Sequence, residues 1–120
     1  MGKNIVKEKS MAFAIRIVNL YRTLCEKREY VMSKQLLKAG TSIGANLAEA
    51  DSAISKKEFL AKIYISLKEC AETGYWLELL QKTDFISEKD FLSYNSDRTE
   101  IFKLLTAITK TTRERMANDK

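Results

Sequence analysis

Sixteen acidic side chains, two cysteines and no histidine form the reactive inventory of this 120-residue chain. Without histidine the commonest general base and metal ligand is missing. Cys25 and Cys70 lack the close spacing of a metal cluster. They read as apolar core fillers in a reducing compartment, with a disulfide the less favoured alternative. A carboxylate-bridged di-iron bundle would need Glu-x-x-His pairs. Glu69, Glu72 and Glu78 instead lie along one helical stretch, with Glu49 in the neighbouring region, and read as a solvated acidic face. Gly40 and Gly44 fall inside a helical pattern rather than after a strand, so they are not a phosphate-cradling loop. The chain is expected to be no enzyme, with no cofactor, no metal and no small-molecule substrate.

The bases offer the one positive chemical hint. Net charge is +5, and its distribution is uneven: residues 1–38 carry +6, residues 39–100 carry −4 and residues 101–120 carry +3. If the first and last helices lie side by side, their bases share a face. Lys7, Lys9, Arg16, Arg22, Lys27 and Arg28 would come from the first, and Lys110, Arg113 and Arg115 from the last. Such a face could neutralise RNA or DNA phosphates without reading sequence. Tyr21 and Tyr30 would be placed to stack on unpaired bases. The competing reading is an ordinary soluble surface that happens to be basic.

What positions these residues is helical. The chain holds no proline and four glycines, and apolar residues recur at the helical period. The reading is an all-α, antiparallel up-down four-helix bundle in a single domain 1–120, with helices at about 3–27, 33–51, 55–82 and 87–112. Ser33 is the expected cap of the second helix. Ser55 and Glu58 form a capping box for the third, and Ser87 opens the fourth. Ser10 interrupts the first apolar face and suggests that the turn before it is frayed or kinked. The tail from Thr111 is expected to fray. Arg98, inside an apolar stripe, should either snorkel or meet an acid.

Within the second helix Gly40, Gly44 and Ala48 recur every four residues, a nearly bare stripe that invites another helix backbone. Two helical glycines cost roughly 1 kcal/mol each against alanine, so close packing is the expected compensation. Beside this seam, Ser42 should bond back to its own helix and Asn46 should bridge to a neighbour. Helix three has apolar residues around more than half its circumference. Tyr75 and Trp76 are about 100° apart on it, so one of them should meet a subunit partner or lie on the surface. With Tyr64 they mark the expected oligomer interface. No stretch reaches the apolar length of a membrane span, and the N-terminus lacks a signal peptide's apolar core. A cytoplasmic protein with no membrane partner is expected.

The run from Ser33 to Ala50, then Lys57-Glu58-Phe59, then Leu67 to Leu80 with its Glu72-Thr73-Gly74-Tyr75-Trp76 segment, resembles bacterial four-helix-bundle proteins encoded in 23S rRNA intervening sequences. These are sometimes labelled ribosomal proteins, and are similar to the accessory variability determinant proteins of diversity-generating retroelements. Gly74 stands where a larger residue is more typical, and Cys70 replaces a small or polar one. The resemblance implies a homopentameric ring of antiparallel four-helix subunits with a basic surface that contacts nucleic acid, and it supplies no enzymatic activity. Two functions remain open: a non-catalytic nucleic-acid-associated protein, and an assembly adaptor docking a polymerase-like or other protein partner.

Overall fold

Freed of proline, the chain runs in four long helices: α1 (Gly2–Glu26), α2 (Met32–Asp51), α3 (Lys56–Lys82) and α4 (Glu88–Asn118). The computed structural model describes residues 2–118, with side-chain environments from Ile5 onward. Cross-helix partners establish the antiparallel order. Gly40 faces Ile17 while Gly44 faces Ser10, so α2 descends as α1 rises. Ser66 reaches Ile43 and Lys62 reaches Glu49, which turns α3 against α2. Arg16 reaches Asp97 and Lys9 reaches Glu100, closing α4 onto α1. The result is an up-down bundle in which each helix packs on two neighbours.

The core follows the period. Phe13, Ile17, Leu20 and Leu24 of α1 meet Leu36, Ile43 and Leu47 of α2, Ile63, Cys70, Leu77 and Leu80 of α3, and Ile101 and Leu105 of α4. Ser10 does not break α1. It is fully buried inside a continuous α1, opposite the missing side chain of Gly44. The buried polar bridge between helices is not Asn46, whose amide donates to Ser42 O in its own helix at 2.8 Å. It is Ser66, which donates to Ile43 O at 2.9 Å. An amide on the edge of α2 finds its nearest acceptor one turn back, whereas Ser66 points straight at the neighbouring backbone. Ser42 does bond back, to Lys38 O.

Capping departs from the sequence reading once. Ser33 is not the cap of α2; it is buried in the first turn. The Glu29 carboxylate caps instead, accepting from Val31 N, Met32 N and Ser33 N at 3.2, 2.9 and 2.6 Å. The preceding Arg28, at φ 63°, turns the chain so that Glu29 reaches forward over the open amides. Burial opposes ionisation of Glu29, yet these donors and the Ser33 hydroxyl hold its carboxyl below the ordinary value. Ser55 accepts from Glu58 N at 3.0 Å, and Glu58 returns to Ile54 N at 3.2 Å. Ser87 accepts from Asp90 N. Far from fraying at Thr111, α4 runs to Asn118, because half-buried Thr112 and Met116 extend the stripe begun by Ile108. Asp119 and Lys120 of that tail lie outside the described residues.

Candidate functional site

The bases expected to form one face divide into two groups. Those of α1 serve mostly as stitches. Lys7 pairs with Asp51 at the end of α2, and Lys9 pairs with Glu100 of α4 at 2.9 Å. Arg16 grips α4 from three sides: Asp97 Oδ2 at 2.6 Å, Ser93 Oγ at 2.9 Å and the Tyr94 ring at 4.2 Å from its centroid. Lys27 donates to Phe85 O at 2.7 Å. Arg22 is exposed and donates to Asn19 Oδ1 at 3.4 Å, in no ion pair among the described residues. Arg28 is exposed at the left-handed turn. Acids of α2 and α4 thus neutralise Lys7, Lys9 and Arg16, a charge balance the segment totals hid.

The bases of α4 are different. Lys110, Arg113 and Arg115 are exposed and meet no acid among the described residues. Lys110 and Arg113 line a shallow cavity of about 400 Å³ with Thr106, Thr109 and Glu114. Arg115 shares a second, of about 330 Å³, with Lys56, Asp51 and Phe59. The antiparallel order brings the start of α3 to the end of α4, so Lys56 and the exposed Lys57 join this end of the bundle. Sequence reasoning passed over both because they lie in the acidic middle segment. It also passed over exposed Lys103, although its seven-residue spacing from Lys110 was visible.

The small-residue seam is tight at one position, Gly40. A Cβ on Gly40 would stand 2.9 Å from Ile17 Cγ2, so this glycine permits the close α1–α2 approach. At Gly44 the nearest atom is Ser10 Cβ at 3.6 Å, an ordinary contact. Ala48 is exposed and takes no part in the tight packing. Here the seam opens into a groove of about 340 Å³ whose walls include Met11, Ala14, Gly44, Ala45 and Ala48. On α3, Trp76 is half-buried against the core and donates its indole N–H to Glu72 at 3.2 Å. Tyr75 lies on the surface, 59% exposed, with its ring edge-on to Trp76 at 5.0 Å between centroids. Tyr64 is exposed one side of the same helix.

Among the described residues no group of three or more Cys, Asp or Glu is placed to hold a metal ion. No described helix is long and apolar enough to cross a membrane. Both cysteines are free. Burial pushes the Cys70 thiol up to about 11, against the smaller opposing influence of Arg98.

The model of the 23S rRNA-intervening sequence protein family matches residues 2–107. The chain belongs to this family. A crystal structure of a protein of unknown function from the S23 ribosomal protein family of Bacteroides thetaiotaomicron is similar to it, with a TM-score of 0.91 and 55% sequence identity. That likeness spans 92% of this chain and 99% of the other. Among curated proteins none matches. The intervening-sequence family match takes in α1, α2, α3 and α4 as far as Ala107. Lys110, Arg113 and Arg115 lie beyond the matched residues.

Proposed function

We propose that this intervening-sequence family member is a non-enzymatic, self-assembling helical bundle that associates with RNA or DNA through phosphate contacts. One observation carries the reading: Lys110, Arg113 and Arg115 are exposed at one end of the bundle with no acid partner among the described residues. Bases free of internal partners exchange only water and counterions for phosphate, and the released counterions drive binding. Bases already paired, such as Arg16, would have to give up their acid first. The contact surface is therefore the end formed by α4 and the start of α3, with Lys57 and Lys103 beside it, rather than the flank of α1. The family resemblance implies five copies per ring, and a ring would repeat each basic end around an axis and multiply weak contacts.

Fluorescence anisotropy with a mixed RNA and DNA pool tests this. Lys110→Glu, Arg113→Glu and Arg115→Glu together should abolish retention, while Lys9→Glu with Arg16→Glu should weaken the fold more than the binding. The reverse ranking would move the contact back to α1. A second reading, a protein-docking adaptor, is favoured by the apolar groove beside Met11 and by exposed Tyr75. Binding to a protein partner through those surfaces should respond little to salt.

A further inference from the structure

We propose that the nucleic acid held at the α4 end is single-stranded, its unpaired bases stacked on Phe102 and Tyr64 and its phosphates on Lys57, Lys110 and Arg113. The inference rests on the association proposed above and names the class of strand. A basic surface alone takes any phosphate backbone. Aromatic faces beside it take only bases that are out of a duplex, because paired bases are already stacked on one another.

Two lines of residues border the seam between α3 and α4. Arg98 fixes where they meet, since it lies over Gly74 and donates to Cys70 O at 3.3 Å. From Gly74 back along α3, spacings of three and four residues carry one line through Ala71, Leu67, Tyr64 and Leu60 to Lys57. From Arg98 onward along α4, spacings of four carry the other through Phe102 and Thr106 to Lys110, with Arg113 beyond it. The two helices run in opposite directions, so an earlier residue on α3 is level with a later one on α4. At 1.5 Å per residue, Tyr64 and Phe102 stand roughly 9 and 6 Å beyond the Cys70–Arg98 contact, within one turn of each other. Lys57 and Lys110 stand roughly 20 and 18 Å beyond it, again level. Tyr64 is 44% exposed and Phe102 38% exposed. The seam therefore presents an aromatic level and, further toward the end of the bundle, a basic one.

From Gly74 to the end of the bundle this flank carries one acid, Glu114, among the described residues. Lys57, Lys103, Lys110 and Arg113 are exposed and in no ion pair among those residues. The other acids of α3 and α4 are engaged or turned elsewhere. Glu58 reaches back to Ile54 N, and Glu72 accepts from Trp76. Glu69 lies one turn from Ser66, on the side packed against α2. Asp97 and Glu100 are paired with α1. Glu114 shares its shallow cavity with Lys110 and Arg113, two bases to one acid. Tyr21 and Tyr30, expected from the sequence to stack, lie late in α1 and in the turn after it, at the opposite end of the bundle from Lys110. Phe102 and Tyr64 are the aromatics that accompany the free bases.

Anisotropy with labelled oligonucleotides of one length tests this, using single-stranded RNA, single-stranded DNA, a duplex, and a strand whose bases are replaced by abasic sites. The parent should bind RNA, DNA or both single strands about tenfold more tightly than the duplex and the abasic strand, as stacking of a base on an aromatic ring gives. Phe102→Leu with Tyr64→Leu keeps apolar bulk and should lose that preference while binding the duplex as the parent does. Phe102→Tyr with Tyr64→Phe should keep it. Light scattering should give the parent and both variants the same mass. No binding of any probe at low salt overturns phosphate association and this inference together. A parent that holds the duplex or the abasic strand as tightly as the normal strands overturns the stacking and leaves phosphate association standing. A leucine variant that keeps the preference, or that changes mass along with affinity, does the same.

Discussion

Arg98 lies across Gly74, so that a β-carbon there would stand 2.6 Å from the guanidinium carbon and 2.7 Å from Nε. The arginine uses this seat to donate to Cys70 O at 3.3 Å, while its Nε donates to Asn95 Oδ1 at 2.8 Å. It pairs with no acid among the described residues. A charge in an apolar stripe is thereby satisfied by a helix backbone and the Asn95 side chain, and Gly74, standing where a larger residue is more typical, is what admits it.

Gly40, Gly44 and Gly74 should consequently answer differently to alanine. Gly40→Ala drives a methyl into the β-branched and fully buried Ile17, and overpacking of that kind costs about 1–3 kcal/mol. Gly44→Ala meets only an ordinary contact and gains up to about 1 kcal/mol of helix propensity. Gly74→Ala gains the same propensity but evicts the flexible Arg98 head, and should fall between the two. Thermal melts should rank the variants Gly44→Ala, Gly74→Ala, Gly40→Ala from most to least stable; a least stable Gly44→Ala would relocate the tight seam.

Glu29→Ala removes the acceptor for three amides at the start of α2 and should cost about 1–2 kcal/mol in denaturant melts, as loss of a cap does. The same carboxylate makes stability depend on acid. Its folded pKa lies below the ordinary value of 4.5, so its stabilising contribution is complete above that value and is lost as pH falls through the lower, folded one. In Glu29→Ala this part of the acid-induced loss should disappear.

Reactivity should separate the two cysteines. Cys25 is half-buried, whereas Cys70 is buried, donates to Arg98 O at 3.4 Å and has its thiol pushed up to about 11. At neutral pH a thiol reagent should modify Cys25 first and Cys70 only on unfolding, because the thiolate is the nucleophile. Peptide mapping after a short exposure reads this directly. Equal labelling in the folded protein would mean that α3 and α4 open readily at Arg98.

Arg28 and Asp84 both adopt positive φ, at 63° and 66°, in the turns after α1 and α3. Non-glycine residues there carry a steric cost of roughly 1 kcal/mol or more. Asp84→Gly should therefore raise the melting temperature, by a gain of about 0.5–1 kcal/mol after the extra unfolded-state entropy of glycine is counted. An unchanged or lower midpoint would show that the Asp84 side chain itself supports the turn.

The helices and their order were legible because apolar period, missing proline and serine caps all pointed the same way. Ser55 and Ser87 cap as their spacing implied. Ser33 misled because it fits a cap by type, while Glu29, four residues earlier, reaches further and carries charge. Asn46 misled because side-chain type does not tell which backbone is nearer. The basic face was legible in its residues and not in its partners. Segment totals cannot show that Arg16 meets Asp97, 81 positions away, or that Lys110 and Arg113 meet no acid among the described residues.

Nucleic-acid association through the α4 end is tested most directly by titrating the parent protein into labelled single-stranded RNA and duplex DNA at increasing salt. Phosphate-driven binding predicts that log Kobs falls linearly with log salt, by roughly 0.7 per phosphate on single strands and 0.9 on duplex. It also predicts that removing Lys110, Arg113 and Arg115 flattens that slope. Anisotropy that shows no binding at low salt, or binding whose strength salt leaves unchanged, would contradict the account.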